Sequence, residues 1–348
     1  MRGSRTPKTR LPDAIAMRFE QACAASPLAG TKLQRLTAAY HWFMDCRLGD
    51  RNFETELSSA DNCVYMEKLS EMLVAYLLMR AGFTVVQGVT QSVQNGCLAR
   101  LGAPDFWVTK GDVRAWVEVV TPRPAFVGSF YLEQIQHDDS GMLPVPWNRI
   151  LLRWTSAIKE KREKLDRYHL KGVVRPGDIY IVAVNGRNLR GASPIGFTGE
   201  SGKPFVVEAT IGAGPPFIGF VPLDNGRLWP ELKWSVRREA RSVSGSSVPL
   251  VPFLDPAHAD LSAVWGMDVD EDELLLNPPV GSAERGYFAS AVVLNHLANA
   301  PMPAGLLPAF EDWMYSVGEE APALIGSSRI PFRPTTPGRK RTDGKHSS

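Results

Sequence analysis

With 348 residues, 44% hydrophobic and 22% charged, the chain has the composition of a soluble globular protein and the length for a sizeable core. Its 39 basic and 37 acidic residues leave a formal net charge of +2, so bulk charge neither demands nor excludes a nucleic-acid partner. Cys23, Cys46, Cys63 and Cys97 form no C-x-x-C pair, which argues against a disulfide framework or zinc ribbon, and no apolar run approaches the roughly 18 residues of a membrane span.

The basic start, MRGSRTPKTR, is followed by an amphipathic helical pattern rather than the apolar core of a signal peptide, so a cytoplasmic protein is expected. Residues 1–10 and the Pro-, Ser- and Arg-rich tail at 327–348 are expected to be disordered, with one domain over 11–326. In the tail, Arg339, Lys340 and Arg341 are candidates for phosphate contact, weighed against an ordinary solvated end.

Residues 12–26 and 31–47 read as helices, and DNCVYMEKLSEMLVAYLLMRAGF carries apolar residues at helical spacing until Gly82 supplies a stop. FTVVQGV then reads as a strand. The stretch GAPDFWVTKGDVRAWVEVVTP reads as a hairpin, followed by a long helix in WNRILLRWTSAIKEKREKLDRYHL. GDIYIVAVNG reads as a buried strand closed by an Asn-Gly turn. From about 195 the signals weaken. A helix is expected near LWPELKW and strands in LSAVWGM and YFASAVVLN, which extend the same sheet; the part from 195 to 260 is read only as an elaboration of that sheet.

The hairpin carries the chemistry. With TKGD as its turn, Asp105 falls nearly opposite Trp116 and diagonal to Glu118, within about 7–8 Å. Burying two carboxylates together costs several kcal/mol per ion unless a cation compensates, and oxygen ligands at this separation suit Mg²⁺ or Mn²⁺. The competing reading has Asp105 capping a turn and Glu118 paired with an arginine. Upstream, Glu71 lies on a helix beside apolar neighbours and shares a face with Glu67, for which a solvated stripe competes.

On the long helix, at about 100° per residue, Leu151, Trp154, Ile158 and Leu165 form the core face. Arg153, Ala157, Lys161, Lys164 and Tyr168 form an adjacent stripe with Lys161 nearest the core edge.

A helix bearing Glu71, then Pro104-Asp105, a hairpin to VEVV with Glu118, and a following helix together resemble the PD-(D/E)xK nuclease superfamily over residues 60–187. The resemblance implies an α/β fold, a mixed central β-sheet flanked by helices. Its restriction-endonuclease-like core carries N-terminal helices and a C-terminal elaboration over 188–326. It also implies a Mg²⁺-dependent endonuclease acting on DNA, with Mn²⁺ as substitute, in bacterial defence or DNA processing. Asp105 and Glu118 would be metal ligands and Glu71 an auxiliary one.

The superfamily pattern has lysine two residues after the second acid, where this chain has Val120, and valine neither orients water nor offsets phosphate charge. Some members supply that lysine from a neighbouring helix; Lys161 is the candidate here, with Lys164 and Lys159 weaker, while Lys110 in the turn points elsewhere. Arg153 and Lys164 are candidates for phosphate contact. A homodimer and a further protein partner are compatible with this reading. The alternative is a catalytically degenerate nucleic-acid-binding module of the same fold.

Other motifs carry less. QHDDSG, His137 to Gly141, reads as a solvated loop, DVDEDE as an acidic loop rather than a calcium site, and TIGAGPPFIG lacks a dinucleotide fingerprint. Trp107, Trp116 and Trp154 are expected to pack in the core.

Overall fold

The computed structural model describes residues 11–24, 28–88, 90–94, 97–124, 147–189, 197–223, 225–242, 245–250, 252–271, 289–309, 311–317 and 322–328. The N-terminal residues 1–10, the QHDDSG motif and the basic tail residues Arg339, Lys340 and Arg341 lie outside them.

Helices α1 (Asp13–Cys23), α2 (Ala29–Asp45), α3 (Phe53–Leu57) and α4 (Asn62–Arg80) come first. Asp61 caps α4 by accepting from the Cys63 N–H at 2.8 Å, and Gly82, with φ 88°, lets the chain leave in a left-handed turn. Because α4 is apolar almost all round, from Tyr65 to Leu78, it belongs between other layers rather than at the surface.

β1 (Thr84–Gln87) follows, then β2 (Thr90–Gln94) and β3 (Cys97–Leu101), a hairpin that the sequence pattern does not signal. β4 (Phe106–Lys110) and β5 (Val113–Val120) form the central hairpin. α5 (Trp147–Leu170) crosses over to β6 (Ile179–Asn185), which lies parallel to β5. Next come α6 (Phe205–Ile211), the ribbon β7 (Ala213–Pro222) and β8 (Leu228–Val236), and the short pair β9 (Glu239–Arg241) and β10 (Ser247–Pro249). β11 (Ala263–Asp268), β12 (Ala289–Leu294), β13 (Glu311–Val317) and β14 (Pro322–Ser328) complete the chain.

One mixed eight-stranded sheet runs in the order β1-β4-β5-β6-β11-β12-β13-β14 and is flanked by helices. Alternation along each strand divides the apolar residues between two cores. Ala115, Val117 and Val119 of β5 face the core built with α1, α2 and α4, together with Ile181 and Ala183 of β6. Trp116 and Val120 face the other core, with α5, α6, Tyr180, Val182 and Val184. Strands β11 and β12 extend the sheet as expected, since Val264, Ala291 and Val293 continue one face and Trp265 and Val292 the other.

Several expectations fail locally. The turn of the central hairpin is Lys110–Val113 around Gly111 and Asp112, not TKGD, because Gly111 at φ 57° takes the positive-φ first position of a two-residue loop. That moves the pairing by two residues. The strand β6 does close at Asn185-Gly186 as expected, there into the 3₁₀ turn Gly186–Leu189. LWPELKW is strand β8, not a helix: it pairs antiparallel with β7, and that ladder satisfies backbone groups a Pro-containing helix could not. Residues 213–249 are therefore no elaboration of the main sheet; they form separate two-stranded sheets. DVDEDE, expected as an acidic loop, begins at the end of β11, and its Asp268, Asp270 and Glu271 are buried, the first two paired with Arg187 and Glu271 accepting from the Tyr65 hydroxyl at 2.6 Å.

Candidate functional site

The hairpin register places the two acids. Phe106 pairs with Val117 and Trp107 with Trp116, so the next residues outward, Asp105 and Glu118, stand directly across from each other rather than diagonally. They share the face of Trp107 and Trp116, whose rings lie 4.6 Å apart, and that face looks toward α5. Asp105 is held by both neighbouring strands. Its carboxylate accepts from the Val119 N–H at 2.6 Å, and its carbonyl accepts from the Gly88 N–H at 2.9 Å. At Gly88 only glycine fits, since a Cβ would meet the Pro104 carbonyl oxygen at 1.7 Å.

Glu118 is 2% exposed on an otherwise apolar face. Three donors of α5 satisfy it. Lys161 Nζ lies 2.8 Å and Lys164 Nζ 3.2 Å from Oε1, and the Tyr168 hydroxyl donates to Oε2 at 3.2 Å. Positions 161, 164 and 168 recur every three to four residues, so one helical stripe delivers all three to a single carboxylate. Helical spacing puts Tyr168 on that stripe, but spacing alone gives it no role.

Electrostatics follow from this crowding. Burial foremost, then the Glu118 and Glu71 carboxylates, push the Asp105 carboxyl well above the usual carboxylate range, against the opposing pull of Lys161. Burial also raises Glu71, although Lys68 opposes it. Lys161 loses by desolvation but gains more from Glu118 and Asp105, so its ammonium is held charged above the usual lysine value. Burial and the neighbouring carboxylates keep Tyr168 a protonated donor.

Glu71 reaches the site from α4. The preceding residue anchors it: the Ser70 hydroxyl donates to the Met66 carbonyl at 2.6 Å and accepts from Asn185 Nδ2 at 2.8 Å. Asn185 also bonds the backbone of Val269 in both directions, at 2.8 and 3.1 Å, so one amide ties α4, β6 and the end of β11 together. In the sequence, Asn185 is legible only as the end of a strand. Glu71 itself pairs with Lys68 at 3.0 Å.

A cleft of about 390 Å³ opens beside these groups, lined by Glu71, Val120, Thr121, Arg123, Arg153 and Lys161 among others. Val120 thus faces the cleft at the position where the superfamily pattern has lysine. Arg153 is on its wall, as the helical stripe implies. Lys159 is not: it is exposed and lies 3.9 Å from Glu163. Lys110 sits over the Phe83 ring, 5.2 Å from its centroid, away from the carboxylates. Arg123 and Thr121, just past β5, carry no signal in the sequence.

As a donor set, Asp105, Glu118 and Glu71 are hard oxygen ligands of the kind Mg²⁺ and Mn²⁺ take. The residues therefore fit a divalent cation in kind. Among the described residues, no three such side chains already stand at holding distance of one point.

Fold and site define an α/β protein with a buried carboxylate–lysine centre near the C-terminal ends of the parallel strands β5 and β6, where open sheets of this kind bind ligands. No family model, curated protein or solved structure matches the chain. Among the described residues no helix is long and apolar enough to cross a membrane.

Proposed function

We propose that this protein is a metal-dependent endonuclease of the PD-(D/E)xK superfamily that hydrolyses DNA phosphodiester bonds, in bacterial defence or DNA processing. The observation that carries the reading is the 2.8 Å contact of Lys161 with Glu118, directly beside Asp105. It supplies from α5 the cation that Val120 cannot supply from β5. Asp105 and Glu118 would hold Mg²⁺, or Mn²⁺ in its place, with Glu71 as the auxiliary ligand. Such an ion contributes Lewis-acid activation of the phosphate and of water.

The chain's own side chains do the rest. Lys161 keeps its proton and offers fixed positive charge to the phosphate undergoing attack. Tyr168 holds Glu118 in orientation, and Gly88 and Val119 hold Asp105. Arg153 and Lys164 would meet flanking phosphates, Arg153 through its planar fork. Cutting both strands of a duplex calls for two such sites, hence a homodimer in this reading.

The test is nicking of supercoiled plasmid in Mg²⁺, Mn²⁺ or EDTA, with folding of each variant checked by circular dichroism. Wild type should nick only with metal, and Asp105→Ala and Glu118→Gln should each lower the rate by at least about 10²-fold. Undiminished cleavage by folded Glu118→Gln would sink the assignment. Val120 on the cleft wall favours a second reading, a degenerate nucleic-acid-binding module. That protein would bind DNA in a salt-dependent way and cleave under no metal.

A further inference from the structure

Arg123 leaves β5 three residues past Val120, between Pro122 and Pro124, whose rings fix φ and stiffen the strap that carries it. Its guanidinium meets Glu67 of α4 through two bonds, Nε to Oε1 at 2.5 Å and Nη2 to Oε2 at 2.9 Å. Both residues line the cleft. This fork is the geometry in which arginine grips a phosphate as readily as a carboxylate. The pair is open to solvent, Arg123 at 54% and Glu67 at 33%, so it contributes little to stability and its partners exchange easily.

A second observation concerns a residue on the lining of the same cleft. Thr121 is 4% exposed, and its hydroxyl is buried with no hydrogen-bond partner among the described residues. Buried hydroxyls are seldom left so, and an acceptor arriving in the cleft would satisfy it. Arg153 stands on the α5 wall of the same space. As it stands, the cleft balances three cations, Arg123, Arg153 and Lys161, with three acids, Glu67, Glu71 and Glu160. It is no open anion sink, and neutralising one acid tips it.

We propose that Thr121, Arg123 and Arg153 form a subsite for a backbone phosphate flanking the reacting centre, and that Glu67 holds Arg123 as a stand-in for that phosphate until substrate displaces it. The identity of the ligand rests on the nuclease reading; the exchange at Arg123 does not.

The experiment is binding of a short labelled DNA duplex in EDTA, by fluorescence anisotropy across a salt series. Arg123→Ala should weaken binding several-fold and lower the slope of log affinity against log salt by about one. Glu67→Gln should tighten binding several-fold, and that gain should vanish in the Glu67→Gln/Arg123→Ala double variant. Thr121→Val, which removes a hydroxyl without a partner, should weaken binding with no loss of Tm, while Thr121→Ser binds as wild type.

An equal gain from Glu67→Gln with and without Arg123 would mean simple charge repulsion and overturn the proposal. So would wild-type affinity in Arg123→Ala, or no binding by the wild type. If this binding pattern holds and plasmid is never cleaved, the subsite stands and the nuclease reading falls; if plasmid is cleaved without the pattern, the nuclease reading stands and the subsite falls.

Discussion

The two faces of β5 make opposite use of the same eight residues. On one face Ala115, Val117 and Val119 meet α4 in an all-apolar layer. On the other, Glu118 is buried between Trp116 and Val120, and two lysines and a tyrosine must reach it from α5. The first face stabilises by area removed from water; the second carries a buried charge that is tolerable only while its partners stay in place. Strand alternation lets one segment anchor the fold on one face and hold the buried carboxylate–lysine centre on the other.

The sharpest break of this comparison is on the charged face. Lys161→Ala leaves Glu118 buried with weaker partners and should cost about 3–5 kcal/mol by urea denaturation. The double variant Glu118→Leu/Lys161→Met, which replaces the pair by apolar groups, should recover most of that loss and none of the nicking activity. A double variant as unstable as Lys161→Ala would show that the face needs the charges for packing.

The apolar face responds differently. Val117→Ala removes two buried methyl groups and leaves a small cavity beneath α4, an expected loss of about 2 kcal/mol. Once folded, this variant should nick plasmid at the wild-type rate. A large fall in rate at full folding would mean the two faces are coupled.

The smallest effect has the opposite sign. Burial and the Glu118 and Glu71 charges raise the Asp105 carboxyl, so the native state binds that proton more tightly than the unfolded chain does. Native stability in EDTA therefore falls as pH rises above about 4, the ordinary carboxyl range, toward the raised native value. Asparagine does not titrate. Asp105→Asn should show a higher Tm than wild type near neutral pH in EDTA, by a few degrees, with the gap closing toward about pH 4. A gap independent of pH would mean that Asp105 is not the titrating group.

Much of this is legible in one dimension. The buried helix around Glu71, the two arms of the hairpin and the full length of α5 follow from apolar spacing, and the α5 stripe that brings Lys161 to the core edge follows from its 100° steps. The hairpin register is not, because either of two turn frames keeps the apolar alternation. Only the positive φ of Gly111 chooses the one that sets Asp105 against Glu118. The helix expected at LWPELKW fails for a related reason: its apolar spacing suits either element, and pairing with β7 decides. Gly88, Asn185, Thr121 and Arg123 carry no local signal, since each matters through a group distant in sequence or through the space beside it.

The chain by itself determined the periodicities, and with them which residues face the core and which acids stand too far inside it to be ordinary. Tertiary structure alone decided the partners: which lysine of α5 meets Glu118, which strand backs Asp105, and which glutamate holds Arg123. The division has a physical cause. Backbone geometry repeats every two or 3.6 residues and can be read locally, whereas hydrogen bonds and charge pairs act over a few ångströms in space between residues that are 14 to 56 positions apart along the chain.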